Sequence, residues 1–159
     1  MSSLRRVDKE ITDPTEVEDV LREAAVGRLA TCADGKPYVV PLSYVYEDGN
    51  IFFHGAGQGK KMRDLAKNNR VCFEVDISEL MPADDPCDYN FRYRSVIAEG
   101  AARVIQNPEE KLKALRLLIE KYAPGKAGKL TPERLFSIKS LAVVEIKIEE
   151  MTGKRSPAD

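Results

Sequence analysis

The chain is poor in residues that define several common classes of protein. It has no tryptophan, one histidine and three cysteines among 159 residues. No C-x-x-C pair suggests a zinc site, and an odd, widely spaced set of cysteines argues against a disulfide framework. Cys32 and Cys72 lie in apolar segments typical of buried strands, whereas Cys87 lies in a loop, where a redox or ligand role stays open.

An excess of one charge and long apolar runs are also missing. Lys plus Arg number 25 and Asp plus Glu 26, so the formal net charge is -1 and no general affinity for nucleic acid or anionic membranes is expected. No apolar run has the length of a transmembrane helix, and the first residues, MSSLRRVDKE, lack the apolar core of a signal peptide. We therefore expect one cytoplasmic domain spanning residues 1–159.

Apolar residues at helical spacing predict four helices. A capping box of Thr15 and Glu18 begins the first, and Gly27 ends it. Asn107 and Thr131 are expected to cap the third and fourth, each followed by a proline at the first helical position. The second, third and fourth helices cover roughly residues 60–68, 108–122 and 132–138.

Six segments have strand character, namely residues 28–33, 37–47, 50–54, 70–76, 91–105 and 141–149. Asp34-Gly35 and Asp48-Gly49 are strong hairpin signals, and Pro41 indicates an edge or a bulge within the second segment. Six antiparallel strands with attached helices predict a mainly β protein, a small β-barrel whose closure removes exposed edges.

The remaining segments are assigned to irregular structure. Ile77–Asn90, with two prolines and several acids, is expected to be a loop. Gly100 is expected to mark a bend or bulge in its strand. The tail from Met151, MTGKRSPAD, is expected to be frayed or bound to a partner.

The most informative stretch is IFFHGAGQGKKMRDL, residues 51–65. A short strand ends at His54, a glycine-rich loop follows, and Lys60 and Lys61 open a helix. Glycines let a backbone approach a ligand closely, and the first turn of a helix favours anions. Two lysines there are unfavourable unless something negative lies against them. The stretch indicates a phosphate site, with an exposed polar turn as the alternative; the spacing is not that of a P-loop.

The order of motifs resembles the FMN-binding split-barrel superfamily of pyridoxamine 5'-phosphate oxidase, and within it the branch of the nitroimidazole-resistance proteins. The segments that carry the resemblance are VGRLAT (26–31), DGKPYVVPLSYVY (34–46), IFFHGAGQGKK (51–61), NNRVCFEVD (68–76), YRSVIAEGAARVI (93–105) and MTGKR (151–155). The resemblance covers nearly the whole chain. It implies a six-stranded antiparallel split β-barrel that forms a homodimer and holds FMN in clefts between the subunits.

The resemblance also implies which residues contact the flavin. Backbone groups of residues 40–43 would hydrogen-bond the pyrimidine edge, and Lys60 and Lys61 would hold the phosphate. Lys154 would reach the flavin of the other subunit. The full implied set is Val40, Pro41, Leu42, Ser43, His54, Ala56, Lys60, Lys61, Ser95, Val96 and Lys154.

The chain departs from the oxidases proper in ways that bear on its chemistry. Their strand matching Val39–Ser43 has a basic residue at each end, whereas these positions here are apolar or neutral, and the oxidases' C-terminal tryptophan and arginine are absent. Oxidation of pyridoxamine phosphate is therefore not expected. His54 is the candidate proton donor during two-electron reduction, with a haem-ligand role or a structural role as alternatives. Arg28 has two readings, a contact in the cleft or a solvated charge.

Three functions remain open from the sequence. One is an FMN-dependent oxidoreductase that reduces small nitroaromatic or quinone-like compounds. Another is a protein that binds flavin or haem without a substrate of its own, and FAD or a deazaflavin are alternative cofactors. The third is an interaction module, against which the retained Lys60-Lys61 pair argues. The acidic segment Pro82–Asp88 is a candidate substrate lid.

Overall fold

One antiparallel sheet forms most of the protein. The computed structural model describes residues 6–157. Its strands are β1 (Glu10–Ile11), β2 (Gly27–Ala33), β3 (Lys36–Leu42), β4 (Tyr44–Glu47), β5 (Asn50–Ala56), β6 (Arg70–Met81), β7 (Asn90–Val104) and β8 (Leu141–Arg155). Its helices are α1 (Pro14–Glu23), α2 (Lys60–Lys67), α3 (Pro108–Tyr122) and α4 (Pro132–Ser137), with 3₁₀ turns at Val7–Lys9 and Ala127–Lys129.

The sheet curls back on itself without closing. Its strand order is β3-β2-β6-β7-β8-β5-β4, with β1 paired to the end of β8. The two edge strands, β3 and β4, are consecutive in the chain and only Ser43 separates them. The edges must therefore lie side by side at this residue, although no ladder of hydrogen bonds joins them within the described residues. The result is a split barrel.

The prediction of a mainly β, antiparallel barrel with helices is confirmed, but two of its details are wrong. Over residues 6–157 the sheet has eight strands rather than six, and it is not closed. The predicted strand 37–47 is two strands, because the chain changes its partner at Ser43, from β2 to β5. The additional strand, β1, has only two residues and is too short for a sequence pattern to show. Pro41 lies in an edge strand, as predicted.

Helix α1 begins differently from the prediction. Its cap is Asp13, whose carboxylate accepts a hydrogen bond from the Thr15 backbone N–H at 2.9 Å, and Pro14 occupies the first position, where a missing N–H costs nothing. The helix ends at Glu23 rather than at Gly27. Gly27 instead starts β2, where an added Cβ would lie 2.1 Å from the Phe73 ring.

The strands at the other end of the barrel are longer than predicted. β6 continues to Met81 and β7 begins at Asn90, so the connecting loop is only residues 82–89 rather than Ile77–Asn90. The tail is not frayed at its start, because β8 pairs with β7 as far as Arg155. These extensions are polar, so apolar alternation did not reveal them. The bulge predicted at Gly100 is confirmed, since the β7–β8 register shifts there.

The two faces of the sheet serve two cores. The barrel interior is filled by large, fully buried side chains, among them Tyr44, Phe53 and Phe73, and the rings of Tyr44 and Phe73 meet edge to face at 4.9 Å. A second core lies between the outer face of β5 and β8 and helix α3, with Val143 and Leu118 as members. Successive residues of β5 and β8 therefore alternate between the barrel interior and the α3 side.

Candidate functional site

The glycine-rich loop after β5 presents the beginning of α2 to solvent. Gly59 occupies the N-cap position with a φ of 114°, which only glycine adopts readily. No side chain of the described part of the chain caps the helix. The first turn contains no acidic residue. The backbone N–H of Gly57 donates to the Ser140 carbonyl at 2.8 Å and ties the loop to the start of β8. The positive end of the α2 dipole is thus uncompensated by the helix's own side chains.

Lys61 is held against the barrel mouth, and its ammonium has no acidic partner among the described residues. Its ammonium lies 5.3 Å from the centroid of the Phe53 ring and over Gly55, where an added Cβ would be 3.0 Å from Nζ. Burial lowers the pKa of Lys61. Within residues 6–157 no carboxylate forms a salt bridge with it. An anion at this point would therefore gain an ion pair and offset the cost of desolvating the ammonium.

Lys60 is oriented by a buried carboxylate. Its ammonium donates to Asp64 at 2.7 Å, and Asp64, only 6% exposed, also accepts from the Thr31 hydroxyl at 3.1 Å. The hydrogen bond from Lys60 is the main cause that lowers the pKa of Asp64. The Tyr38 ring lies 4.8 Å from the same ammonium. Sequence reasoning missed Asp64, although its i+4 spacing from Lys60 was the available signal.

Residues 40–43 and His54 meet at the split in the barrel. Residues 40–42 end β3, and Ser43 is the junction to β4. Since Tyr44 pairs with Phe53, Ser43 lies beside His54. Pro41 and Ser43 are exposed, whereas Val40 and Leu42 are half-buried. The structure therefore brings this strand, the end of β5 and the lysines of α2 to one end of the barrel.

His54 and Ala56 are exposed on the outer face of β5. His54 pairs with Val143 and Ala56 with Leu141, both of β8. Among the described residues, none forms a hydrogen bond with the His54 ring. The imidazole is therefore accessible to a ligand from this side.

The other predicted residues lie away from His54 within the same subunit. Ser95 pairs with Lys154, which lies eleven residues beyond Val143 in β8, about 36 Å along the strand at the usual rise. Val96 is fully buried in the barrel interior, so its side chain is not available to a ligand. One subunit therefore assembles only part of the predicted set.

Arg28 is engaged on the sheet surface. Its guanidinium contacts Glu74 at 2.8 Å and Asp76 at 2.7 Å, both in β6. The structure therefore favours the surface alternative for this residue.

Across residues 6–157, no group of three or more His, Cys, Asp or Glu side chains is arranged to hold a metal ion, and none of the described helices is long and apolar enough to cross a membrane.

A clamp at the split, formed by the end of α3, was missed by sequence reasoning. The backbone N–H of Tyr44 donates to the Tyr122 hydroxyl at 2.9 Å, and that hydroxyl can donate to the carbonyl of Tyr44 at 2.9 Å or of Ala25 at 2.8 Å. Lys121 donates to the Ala24 carbonyl at 2.8 Å and lies 3.8 Å from the centroid of the Tyr44 ring. Tyr122 had the helical spacing of the α3 apolar stripe, which concealed its polar role.

Comparison with known families identifies the class of this protein. The family model described as pyridoxamine 5'-phosphate oxidase matches residues 13–155, nearly the whole chain. The chain therefore belongs to the pyridoxamine 5'-phosphate oxidase family of flavin-binding split barrels. The resemblance inferred from the ordered motifs is confirmed.

Two solved structures resemble the chain over most of its length. One is a candidate 5-nitroimidazole antibiotic resistance protein of Bacteroides thetaiotaomicron VPI-5482, with 26% identity, a TM-score of 0.78, and coverage of 91% of this chain and 85% of that one. The other is a FAD-binding protein of Mesorhizobium loti, with 26% identity, a TM-score of 0.64, and coverage of 91% and 95%.

A curated relative is similar over a shorter segment. It is the 5a,11a-dehydrotetracycline/5a,11a-dehydrooxytetracycline reductase of Streptomyces rimosus subsp. rimosus, 38% identical over 90 residues. The match covers 54% of this chain and 58% of the length of that relative.

Proposed function

We propose that this chain binds FMN and uses it to reduce small nitroaromatic or quinone-like compounds. The observation that carries the proposal is Lys61, a partly buried ammonium without a carboxylate partner among the described residues, beside the uncapped beginning of α2. A terminal phosphate carries about two negative charges near neutral pH. It would satisfy both the ammonium and the first N–H groups of the helix.

The chemistry of the surrounding groups fits a flavin. In this proposal Lys60, already oriented by Asp64, is the second cation at the phosphate. The backbone of residues 40–43 lies at the open edge of the barrel, where its polar groups can face the pyrimidine edge of the ring. The membership of the chain in a flavin-binding family supports the same assignment. FAD and a deazaflavin remain alternatives that the mass of the released cofactor distinguishes.

The proposal includes a homodimer. Ser95 and Lys154 lie together but about 36 Å along β8 from the His54 position, by the usual strand rise. A second subunit placed across the split would add its own Ser95 and Lys154 to the first subunit's cleft. Lys154 would then supply a further positive charge near the flavin.

Bound FMN supplies the two-electron chemistry, and the chain supplies position and protons. His54 is the only histidine, it is exposed at the end of β5, and no described residue fixes its proton on one nitrogen. In the proposed role its imidazolium donates a proton to the acceptor as that molecule is reduced. The reductase from Streptomyces rimosus supports reductive chemistry, and the Bacteroides thetaiotaomicron protein supports nitroaromatic acceptors.

A half-reaction tests the reductase function without assuming an electron donor. The FMN-loaded protein is reduced with dithionite under anaerobic conditions and mixed with metronidazole or menadione, and flavin absorbance is followed. We expect reoxidation faster than with free reduced FMN, and a slower rate in His54→Gln. A holoprotein that accelerates neither acceptor would refute the reductase function and leave a flavin-binding protein. A Soret band in the purified protein would instead favour haem.

A further inference from the structure

An apolar cavity of about 460 Å³ lies between the beginning of α3, helix α4 and the start of β8. Its apolar walls include the side chains of Leu112, Leu135, Ile138 and Leu141. Phe136, at 93% exposure, lies at its edge, and Ile138 is 45% exposed. The volume is in the range of small-molecule sites in proteins, about 300–1,000 Å³.

The cavity adjoins the predicted catalytic end of β5. Leu141, in its wall, pairs directly with Ala56, and His54 pairs with Val143 two residues further along β8. Paired residues on one face of a sheet have Cβ atoms about 5 Å apart, and diagonal neighbours are about 7–8 Å apart. Ala56 and His54 therefore share a face of the sheet with Leu141, on the α3 side.

The loop that binds the phosphate in the proposed function is attached to the same wall. The Gly57 N–H donates to the carbonyl of Ser140, the residue before Leu141. A backbone hydrogen bond therefore joins the glycine-rich loop to the residue that precedes the cavity wall. A ligand seated in the cavity would be positioned against the same strand ends that border the proposed flavin cleft.

We propose that this cavity binds the acceptor of the reaction, and that it selects a neutral, planar, apolar ring compound. This inference rests on the proposed function for its role in turnover. Most of the lining side chains are apolar, which favours burial of a ring. The polar residues of the lining, Gln106, Glu109 and Lys111, include one acid and one base, which cancel in charge. A strongly charged ligand is therefore disfavoured.

The test uses menadione, a neutral two-ring quinone, as the probe. Binding is measured by titration of the methyl ¹H–¹³C signals of Leu112, Leu135, Ile138 and Leu141, in the flavin-free and FMN-loaded protein. Ile138→Asp places a carboxylate in the cavity at a position that is half exposed and so tolerates substitution. Val26→Asp is the matched control, since Val26 is 46% exposed and outside the cavity lining.

We expect menadione to shift these methyl signals in the wild type, and its dissociation constant to rise at least tenfold in Ile138→Asp but less than twofold in Val26→Asp. The dissociation constant for FMN should change less than twofold in both variants. Unshifted methyl signals, or equal menadione affinity in Ile138→Asp, would overturn the proposal. So would methyl shifts that depend on protein concentration without ligand, because a second copy would then cover the cavity.

The titration of the flavin-free protein separates this inference from the proposed function. If menadione binds in the cavity but the protein fails to bind FMN, the proposed flavin reductase function is refuted, and the cavity still stands as a ring-binding site. If the protein is a working reductase and Ile138→Asp leaves its menadione affinity unchanged, the proposed function stands and the assignment of the cavity as the acceptor site is refuted.

Discussion

Removal of one hydroxyl group tests the clamp at the split of the barrel. In Tyr122→Phe the backbone N–H of Tyr44 loses its acceptor, and the carbonyls of Tyr44 and Ala25 lose the donor that they share. Tyr44 is a fully buried residue in the edge strand β4, so no neighbouring strand in the described part of the chain replaces these contacts. In a closed barrel, β3 would supply the hydrogen-bond donor and acceptor for the backbone of Tyr44. Here the Tyr122 hydroxyl supplies them.

The expected loss follows from the two hydrogen bonds that the hydroxyl makes at one time. Each contributes about 1 kcal/mol net, and an unsatisfied buried N–H costs about 1–3 kcal/mol. Tyr122 is 42% exposed, so water replaces part of the loss. We expect the free energy of unfolding to fall by about 2 kcal/mol, and the melting temperature by about 4–8 °C for a chain of this size.

Urea and thermal unfolding measure the effect, with Tyr89→Phe as the control. Tyr89 is 61% exposed, and no described residue hydrogen-bonds its hydroxyl, so its variant should lie within about 0.5 kcal/mol of the wild type. Because the clamp fixes the residue next to Ser43, FMN should also bind more weakly to Tyr122→Phe. Identical unfolding curves for the two variants would show that the clamp does not stabilise the split.

Two further substitutions probe the fold. Burial lowers the pKa of Lys121 to about 8, so between pH 8 and 10.5 the unfolded chain binds more protons. The free energy of unfolding should then rise with pH in this window, by about 1–2 kcal/mol after allowance for solvent screening. In Lys121→Met, urea unfolding should show no such rise. Parallel pH dependences of the wild type and the variant would contradict this prediction. Gly100→Ala places a Cβ 2.1 Å from the Lys147 carbonyl oxygen and should cost about 1–3 kcal/mol in thermal unfolding. Gly128→Ala is its control, because a Cβ added there meets no atom of the described residues within 4 Å. Equal melting temperatures for the two variants would refute the argument.

Local sequence signals predicted much of the fold. The Asp34-Gly35 and Asp48-Gly49 turns both have the positive φ angles that such hairpins require. Asn107 caps α3 as predicted, by accepting from the N–H groups of Glu109 and Glu110. These signals depend on neighbouring residues, so a single sequence contains them.

Features that depend on distant partners were missed. The break at Ser43 arises because β3 and β4 pair with different strands, which residues 37–47 do not reveal by themselves. The same holds for the tail, which becomes a strand only because β7 extends beside it. An extension of this kind is mostly polar, so it lacks the alternation of apolar and polar residues from which a strand is predicted.

The candidate site likewise has features that the local sequence predicts and features that depend on distant residues. Lys60 and Lys61 were predicted from the anomaly of two cations at the beginning of a helix. The structure adds the buried Asp64–Thr31 pair that orients Lys60 and the desolvation of Lys61 over Gly55. Whether Ser95 and Lys154 join the site stays a prediction, because it requires a second subunit.

The central claim is that the beginning of α2 binds the phosphate of FMN. The most direct measurement compares the dissociation constants of FMN and riboflavin, which differ only by that phosphate, for the wild type and for Lys60→Ala with Lys61→Ala. Two charge-assisted contacts of about 1 kcal/mol or more each predict at least a thirtyfold preference for FMN in the wild type, lost in the double variant. Lys67→Ala, at the far end of α2, should keep it. Equal affinity of the wild type for both flavins, or an unchanged preference in the double variant, would contradict the account.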